Sequence, residues 1–412
     1  MLKSCVPLFT GLPLFRLSGH KPALIFYLLV YLQGMVIESS KILKYINDGI
    51  YCNGINYLSI NFHYPNNFKQ HNQNKLRMKK NQLLLALGLL LACTQAFANI
   101  LTVSNNVNSP GQYTTFAAAH TAASNGDTIY ISGSPFNYGT LALSKQLTVI
   151  GTGHNPQKQG PLVSFCDYIQ FFTGSTGSKI IGMQVYQIST NNDNIDNIGI
   201  YSCKITYRVW LQNYYSSNWT VDGNVFIYNG GCVEGNCYLD GINFRNNIFN
   251  GQLANFGNCQ SNYHYIDHCV FLYSGNPFAN GYLFYVNNSV FYYNSNVSSG
   301  MNSATWSNNI SYNCGNNNFP NGTNQVNVNP GFASVPLSAT QFSYSHDYRI
   351  NNGAAGDNTA TDGTDLGVYG GFGDFDRDGL PRIPYIKQFD INGSNVVAPG
   401  GTLNVTIKSN IR

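Results

Sequence analysis

The chain keeps returning to one short phrase in altered spelling. It reads TVDGNVF at 220–226, NFRNNIF at 243–249, YIDHCVF at 265–271 and YVNNSVF at 285–291, with a weaker copy IYSCKI at 200–205 and a frayed TWSNNIS at 305–311. The last residue of each copy falls at 205, 226, 249, 271, 291 and 311, a period of 20 to 23 residues. Self-similarity at that period marks a solenoid. Five positions before the end stand Ile200, Val221, Phe244, Ile266, Val286 and Trp306, and at the end itself Ile205, Phe226, Phe249, Phe271 and Phe291. Four before it come Tyr201, Asp222, Arg245, Asp267, Asn287 and Ser307, and six before it Thr220, Asn243, Tyr265 and Tyr285. Apolar and polar columns alternate as they must in a strand with one buried face, because successive side chains point to opposite faces.

Between the two apolar columns lie Ser202, Gly223, Asn246, His268, Asn288 and Asn308, followed by Cys203, Asn224, Asn247, Cys269, Ser289 and Asn309. Short amide and hydroxyl side chains suit a bend, since they tolerate unusual backbone angles and bond to nearby backbone groups. A coil of strand, bend and strand, stacked about 4.8 Å above the next, is a parallel β-solenoid. On these repeats the chain resembles the right-handed parallel β-helix proteins of the pectate-lyase type, over roughly residues 99–370. The resemblance implies an all-β, single-stranded right-handed parallel β-helix of an exported bacterial protein; many functions share that scaffold.

The ends complete the expected architecture. Gln112–Ser124 reads as an Ala-rich helix with Phe116, Ala119 and Ala123 on one side, closed by Asn125-Gly126, and serves as an N-terminal helical cap over an open strand edge. Thr128–Ser132 and Leu147–Gly151 follow as apolar strands, and the stretch from Gly126 resembles the opening coils of bacterial β-helix proteins. After Asn329-Pro330-Gly331-Phe332 the texture changes; Tyr348-Arg349-Ile350 and Asp365–Gly371 resemble a closing coil. Residues 371–412 are expected to form a C-terminal β cap, with a hairpin over Pro381–Ile407.

Upstream, Met78–Ala98 has two lysines, an apolar run from Leu83 to Cys93, and Ala96-Phe97-Ala98. These are the three parts of a secretory signal peptide, with cleavage expected after Ala98. Translation is therefore expected to start at Met78, which makes 1–77 a mispredicted extension; the competing membrane segment, Ala23–Ile37, is short for a span at 15 residues. A lipoprotein cleavage at Leu90-Leu91-Ala92-Cys93, with Cys93 acylated, is the alternative. No transmembrane span is expected in the mature chain, which is expected to be a monomer outside the cytoplasm, in the periplasm or on the outer surface.

The net charge of +4 conceals an asymmetry, because ten of the 22 basic residues precede Asn99. From there on 12 basic residues face 16 acidic ones, which speaks against a nucleic-acid partner. Seven cysteines lie beyond residue 98, an odd number, so at least one is free or pairs outside the chain. Cys237 could pair with Cys259, 22 residues on, or locally with Cys232, while Cys203 and Cys269 read as small buried fillers. No cysteine spacing has the look of a zinc site.

Candidate chemistry gathers on the outward columns. Asp222, Arg245 and Asp267 fall on three consecutive coils, so strand spacing sets the two carboxylates about 9–10 Å apart with a guanidinium between. As a surface charge ladder this needs no further purpose. As a catalytic group it approaches the spacing of inverting glycoside hydrolysis, one acid protonating and the other activating water. A lyase would instead need Arg245 or a lysine as base. Thr220, Asn243, Tyr265 and Tyr285 would then bind the substrate beside it. Ile266-Asp267-His268 resembles a segment of pectate lyases, with Tyr265 in place of the usual tryptophan and no arginine-containing companion motif. The motifs of polygalacturonase-type hydrolases are absent. His268 reads as a stacked structural histidine and His264 as core. Tyr214-Tyr215 and Tyr292-Tyr293 are sugar platforms or coil packing, equally so in a chain 14% aromatic. Asp374, Asp376 and Asp378 before Gly379 have the spacing of the first half of a calcium loop, but Tyr385 stands where a bidentate Glu is expected. The sequence therefore points to a polysaccharide or cell-surface glycan as partner, bound on the outer face with or without cleavage, which if present is that of a polysaccharide lyase or glycoside hydrolase, and to Ca2+ as the one candidate cofactor. A non-catalytic adhesin or structural protein is the alternative.

Overall fold

The computed structural model describes residues 98–158, 162–191, 194–258, 262–272, 275–337, 339–373 and 375–381, and the strands Tyr57–Leu58, Met78–Lys79, Pro384–Asn392 and Asn404–Ile411. The chain divides into two compact units, Met1–Ala96 and Phe97–Arg412. In the first, Tyr57–Leu58 pairs antiparallel with Met78–Lys79; the remainder of the expected extension and the apolar core of the signal segment, Cys93 included, lie outside the described residues. Among the described residues no helix is long and apolar enough to cross a membrane.

The second unit is a parallel β-solenoid of about 8 turns, consistent with a right-handed β-helix. One face is a ten-stranded sheet running from Ile100–Val103 to Met301–Ser307. Every pairing in it is parallel and joins a strand to its counterpart in the next coil. Its inward file is Leu101, Ile129, Val149, Ile180, Ile200, Val221, Phe244, Ile266, Val286 and Trp306, all buried. The second, twelve-stranded sheet carries the other apolar column. Phe226, Phe249, Phe271 and Phe291 stack in single file with ring centroids 4.9, 5.0 and 4.8 Å apart. That spacing matches the distance between parallel strands, so a flat ring at the same position in each coil meets its neighbour at contact distance.

The bend between the sheets is left-handed in coil after coil. Ser202, Gly223, Asn246, His268, Asn288 and Asn308 have φ of 50, 68, 49, 49, 51 and 53°. Asn, Gly and Asp-like residues enter that region at lowest cost, which is why the column is rich in amides. The next column forms a buried hydrogen-bonded ladder. Asn247 Oδ1 accepts from the Asn224 amide at 2.9 Å, and Asn247 Nδ2 donates to Val221 O at 2.7 Å. Further along, Asn309 repeats both bonds with Ser289 N at 3.0 Å and Val286 O at 2.8 Å.

Two expectations change. The helix covers Phe116–Ala122, shorter than Gln112–Ser124, because Tyr113 pairs with the sheet: its N–H donates to Thr102 O and its carbonyl accepts from Ser104 N. Phe116 and Ala119 are buried, and the helix packs on Ile100–Val103 and Thr140–Leu143. The segment expected to close the solenoid runs along its outside. Asp347–Ile350 pairs antiparallel with Phe332–Ser334, and Leu366, Val368 and Phe375 pack on Val225, Ile248, Val270, Val290 and Ile310. Those five outward residues are each wholly buried. This strap travels back toward the first coils. Thr359 O accepts from Asn308, Thr361 meets Asn288, and Val368 O and Gly370 O accept from Asn246. Beyond it, Pro384–Asn392 and Asn404–Ile411 form the expected antiparallel hairpin.

Candidate functional site

The outward positions of the ten-stranded sheet assemble as the repeat requires. Thr220, Asn243, Tyr265 and Tyr285 are register partners in successive strands, and so are Asp222, Arg245 and Asp267. A patch of four coils therefore brings all seven residues together. Tyr265 is 42% exposed and its ring stacks on Tyr285, 5.4 Å away at 23°; Tyr263 lies 4.3 Å from Tyr285 on another side. The result is an aromatic platform flanked by hydroxyl and amide groups.

The charged column is held in place differently at each step. Arg245 is exposed. Asp267 Oδ1 accepts from Asn288 Nδ2 at 2.8 Å and lies 3.1 Å from His268 Nδ1, with the side chain 36% exposed. Asp222 sits beside the strap: a Cβ on Gly373 would stand 3.4 Å from Asp222 Oδ1 and would have to displace the Asn246 side chain. Tyr201 precedes Asp222 in the same column. Burial and then the Asp222 carboxylate raise the pKa of the Tyr201 hydroxyl, against opposing pulls from Thr220 and Arg245. The periodicity contained Tyr201 as well, and it extends the polar face by one coil.

Asp362 had no such signal. It arrives from the strap, 3.7 Å from His268 Nε2, and Thr364 donates to it from hydroxyl and amide at 2.6 and 3.1 Å. Burial works against its ionisation, but the Thr364 bonds and His268 outweigh that and lower its pKa. His268 itself is buried in the bend, with Thr364 Oγ1 3.2 Å from Nε2. It bridges solenoid and strap, as a structural residue would. His264 is wholly buried; its Nδ1 accepts from Ile242 N at 3.2 Å, and burial lowers its pKa to about 4.

The remaining candidates lie elsewhere. Asp376 Oδ1 accepts from Asp378 N at 2.7 Å, and Asp378 Oδ1 accepts from Asn155 Nδ2 at 2.6 Å, which ties the strap to an early coil; Asp374 lies outside the described residues. Among the described residues no group of three His, Cys, Asp or Glu is placed to hold a metal ion. Tyr292 is buried beneath the strap, and the Tyr215 hydroxyl donates to Asp240 Oδ2 at 2.8 Å; the Tyr214 side chain lies outside the described residues. Cys166, Cys203, Cys232, Cys237, Cys269 and Cys314 are buried free thiols, and Cys259 lies outside the described residues. Cys232 and Cys237 are thus not joined to each other. Burial pushes the Cys203 and Cys237 thiols up to about 12. Compared with known proteins, the chain matches no family model and no curated protein.

Proposed function

We propose that this is an exported protein that binds polysaccharide along the outer face of its ten-stranded sheet, with Asp222 and Asp267 as the acids that cleave it. The observation that carries this reading is the in-register patch itself, an exposed tyrosine platform with Thr220 and Asn243 in line and a carboxylate, guanidinium, carboxylate column beside it. Aromatic faces stack on the apolar face of a sugar while flanking hydroxyls and amides take its hydroxyl groups. Arg245 between the acids orients substrate or serves as the base of an elimination. Two strand spacings, about 9–10 Å, leave room for a water between an acid and a base.

A second reading has its own support. Asp267 already accepts from Asn288 and faces His268, as a structural carboxylate does, so a non-catalytic glycan-binding adhesin needs no change in the patch. Asp222→Asn and Asp267→Asn, assayed with the parent on plant and algal polysaccharides, separate the two. Turnover by the parent that each variant loses supports cleavage, and binding without turnover by the parent supports the adhesin.

Export from the Met78–Ala98 signal is part of the proposal. The secreted chain is expected to begin at Asn99; an acylated start at Cys93 would replace that with a lipoprotein. Calcium at Asp374, Asp376 and Asp378 is read from the melting temperature in calcium against chelator, where a rise in calcium supports the site and no change removes it.

A further inference from the structure

Resting on the reading of this face as a glycan surface, we infer that the polysaccharide it takes is uncharged and that polymers of uronic acids are refused. The groups offered to a ligand on the four central coils are of two kinds. Thr220, Asn243, Tyr265 and Tyr285 are uncharged, and with the Tyr263 ring they form the stacking and hydrogen-bonding part of the face. The charged groups are Asp222 and Asp267, with Arg245 between them in register, and Asp362 on the adjoining strap.

Three carboxylates thus face one guanidinium. A uronate that reached Arg245 would lie within one strand spacing, about 5 Å, of a carboxylate on either side. Like charges brought together on a partly desolvated face are a strong basis for rejection. Asp362 cannot relieve the repulsion by taking up a proton near neutrality, because the Thr364 bonds keep it ionised. Lys179 is exposed on the same outward file as Thr220, but Gly199 lies between them, two strands from the patch. His268 is buried and contributes no exposed cation.

The same carboxylates do not make a seat for a cationic amino sugar. An ammonium that reached Asp222 or Asp267 would lie within one strand spacing, about 5 Å, of the Arg245 guanidinium, and Oδ1 of Asp267 and of Asp362 already accepts from Asn288 and from Thr364. What a sugar meets beside them is the exposed Tyr265 ring and the partly exposed Thr220 and Asn243 side chains. Those recognise hydroxyl groups and the apolar faces of neutral rings.

The experiment is calorimetric titration of the secreted chain at low ionic strength with neutral gluco- and xylo-oligosaccharides, an oligogalacturonate and a glucosamine oligomer of equal length. Low salt leaves charge repulsion unscreened. A neutral oligosaccharide bound at least about tenfold more tightly than either charged one, with affinity unmoved by added salt, is the expected result. Tyr265→Ala, an exposed position, is expected to weaken that binding at least about fivefold with unchanged thermal unfolding, as removal of a stacking ring does. Tighter binding of the oligogalacturonate or the glucosamine oligomer, lost in Tyr265→Ala, overturns the inference and leaves the glycan surface standing. Binding of none of the probes, or binding indifferent to Tyr265→Ala, overturns the surface and the inference together.

Discussion

Asn247 shows how much one side chain can carry in a repeat. It is wholly buried, accepts from the amide of Asn224 in the preceding coil and donates to the carbonyl of Val221. Asn247→Ala removes all of this and leaves a buried N–H and a carbonyl without their partners, at a cost of about 1–3 kcal/mol. The neighbouring Asn246 is exchanged under different rules, since its φ of 49° tolerates glycine and penalises a β-branched residue. Phe249 stands between Phe226 and Phe271 in the stack, and Phe249→Ala should cost about 3–5 kcal/mol because both neighbours lose their contact face. Urea unfolding of Asn247→Ala and Phe249→Ala checks both values; a midpoint within error of the parent in either would show that the coil does not depend on that position.

Among the elements, the strap is the one that the repeat did not announce. The phrase closes on two apolar residues in succession, Val225-Phe226, Ile248-Phe249, Val270-Phe271 and Val290-Phe291, and a strand with one solvated face needs only the second. The first of each pair points outward and is buried by Leu366, Val368 and Phe375. The signal was therefore present in the repeat, as apolar residues on both faces of one strand, while the identity of the covering segment was not. Its anchor at each coil is a bend residue, Asn308, Asn288, His268 or Asn246, whose side chain points away from the solenoid core. Leu366→Ala is expected to lower stability by about 2–5 kcal/mol and to open the strap to proteolysis before the sheets unfold. Limited proteolysis followed by mass spectrometry reads this directly: cuts first appearing within the coils, with the strap intact, would show that the strap is not the weaker element.

For the whole molecule, acid is the condition that tests the packing. His264 lies wholly buried between Phe256 and Phe284, ring centroids 5.2 and 4.9 Å away, and burial depresses its pKa to about 4. His154, beneath the strap with its Nδ1 2.8 Å from the Tyr344 hydroxyl, is depressed to about 3, by burial first and then by Lys204. An unfolded histidine titrates near 6.5, so between that pH and the folded value the unfolded chain binds a proton that the folded chain does not. The stability contributed by each neutral ring is complete above about pH 6.5 and falls by about 1.4 kcal/mol per pH unit per histidine as the pH drops toward 4. The urea midpoint should decline steadily from pH 7 to pH 4. His264→Phe, which fits between its aromatic neighbours, should flatten part of the slope; a slope identical to the parent's would mean that His264 is not held neutral.

What the sequence determined by itself is everything that recurs. Coil length, the inward files, the left-handed bend, the amide ladder and the alignment of Asp222, Arg245 and Asp267 with Thr220, Asn243, Tyr265 and Tyr285 all follow from one period. Each coil meets only its neighbours, so a fixed offset in the chain becomes a fixed offset in space. The tertiary structure alone decided what comes from outside the period: the strap over the second apolar column, Asp362 beside His268, Gly373 beside Asp222, and Tyr113 drawn into the sheet at the expense of the helix. Those contacts join residues as far apart as Asn155 and Asp378, and no periodicity encodes them. They arise because an outward apolar column and a row of bend amides, once stacked, present a surface that some other part of the chain must cover.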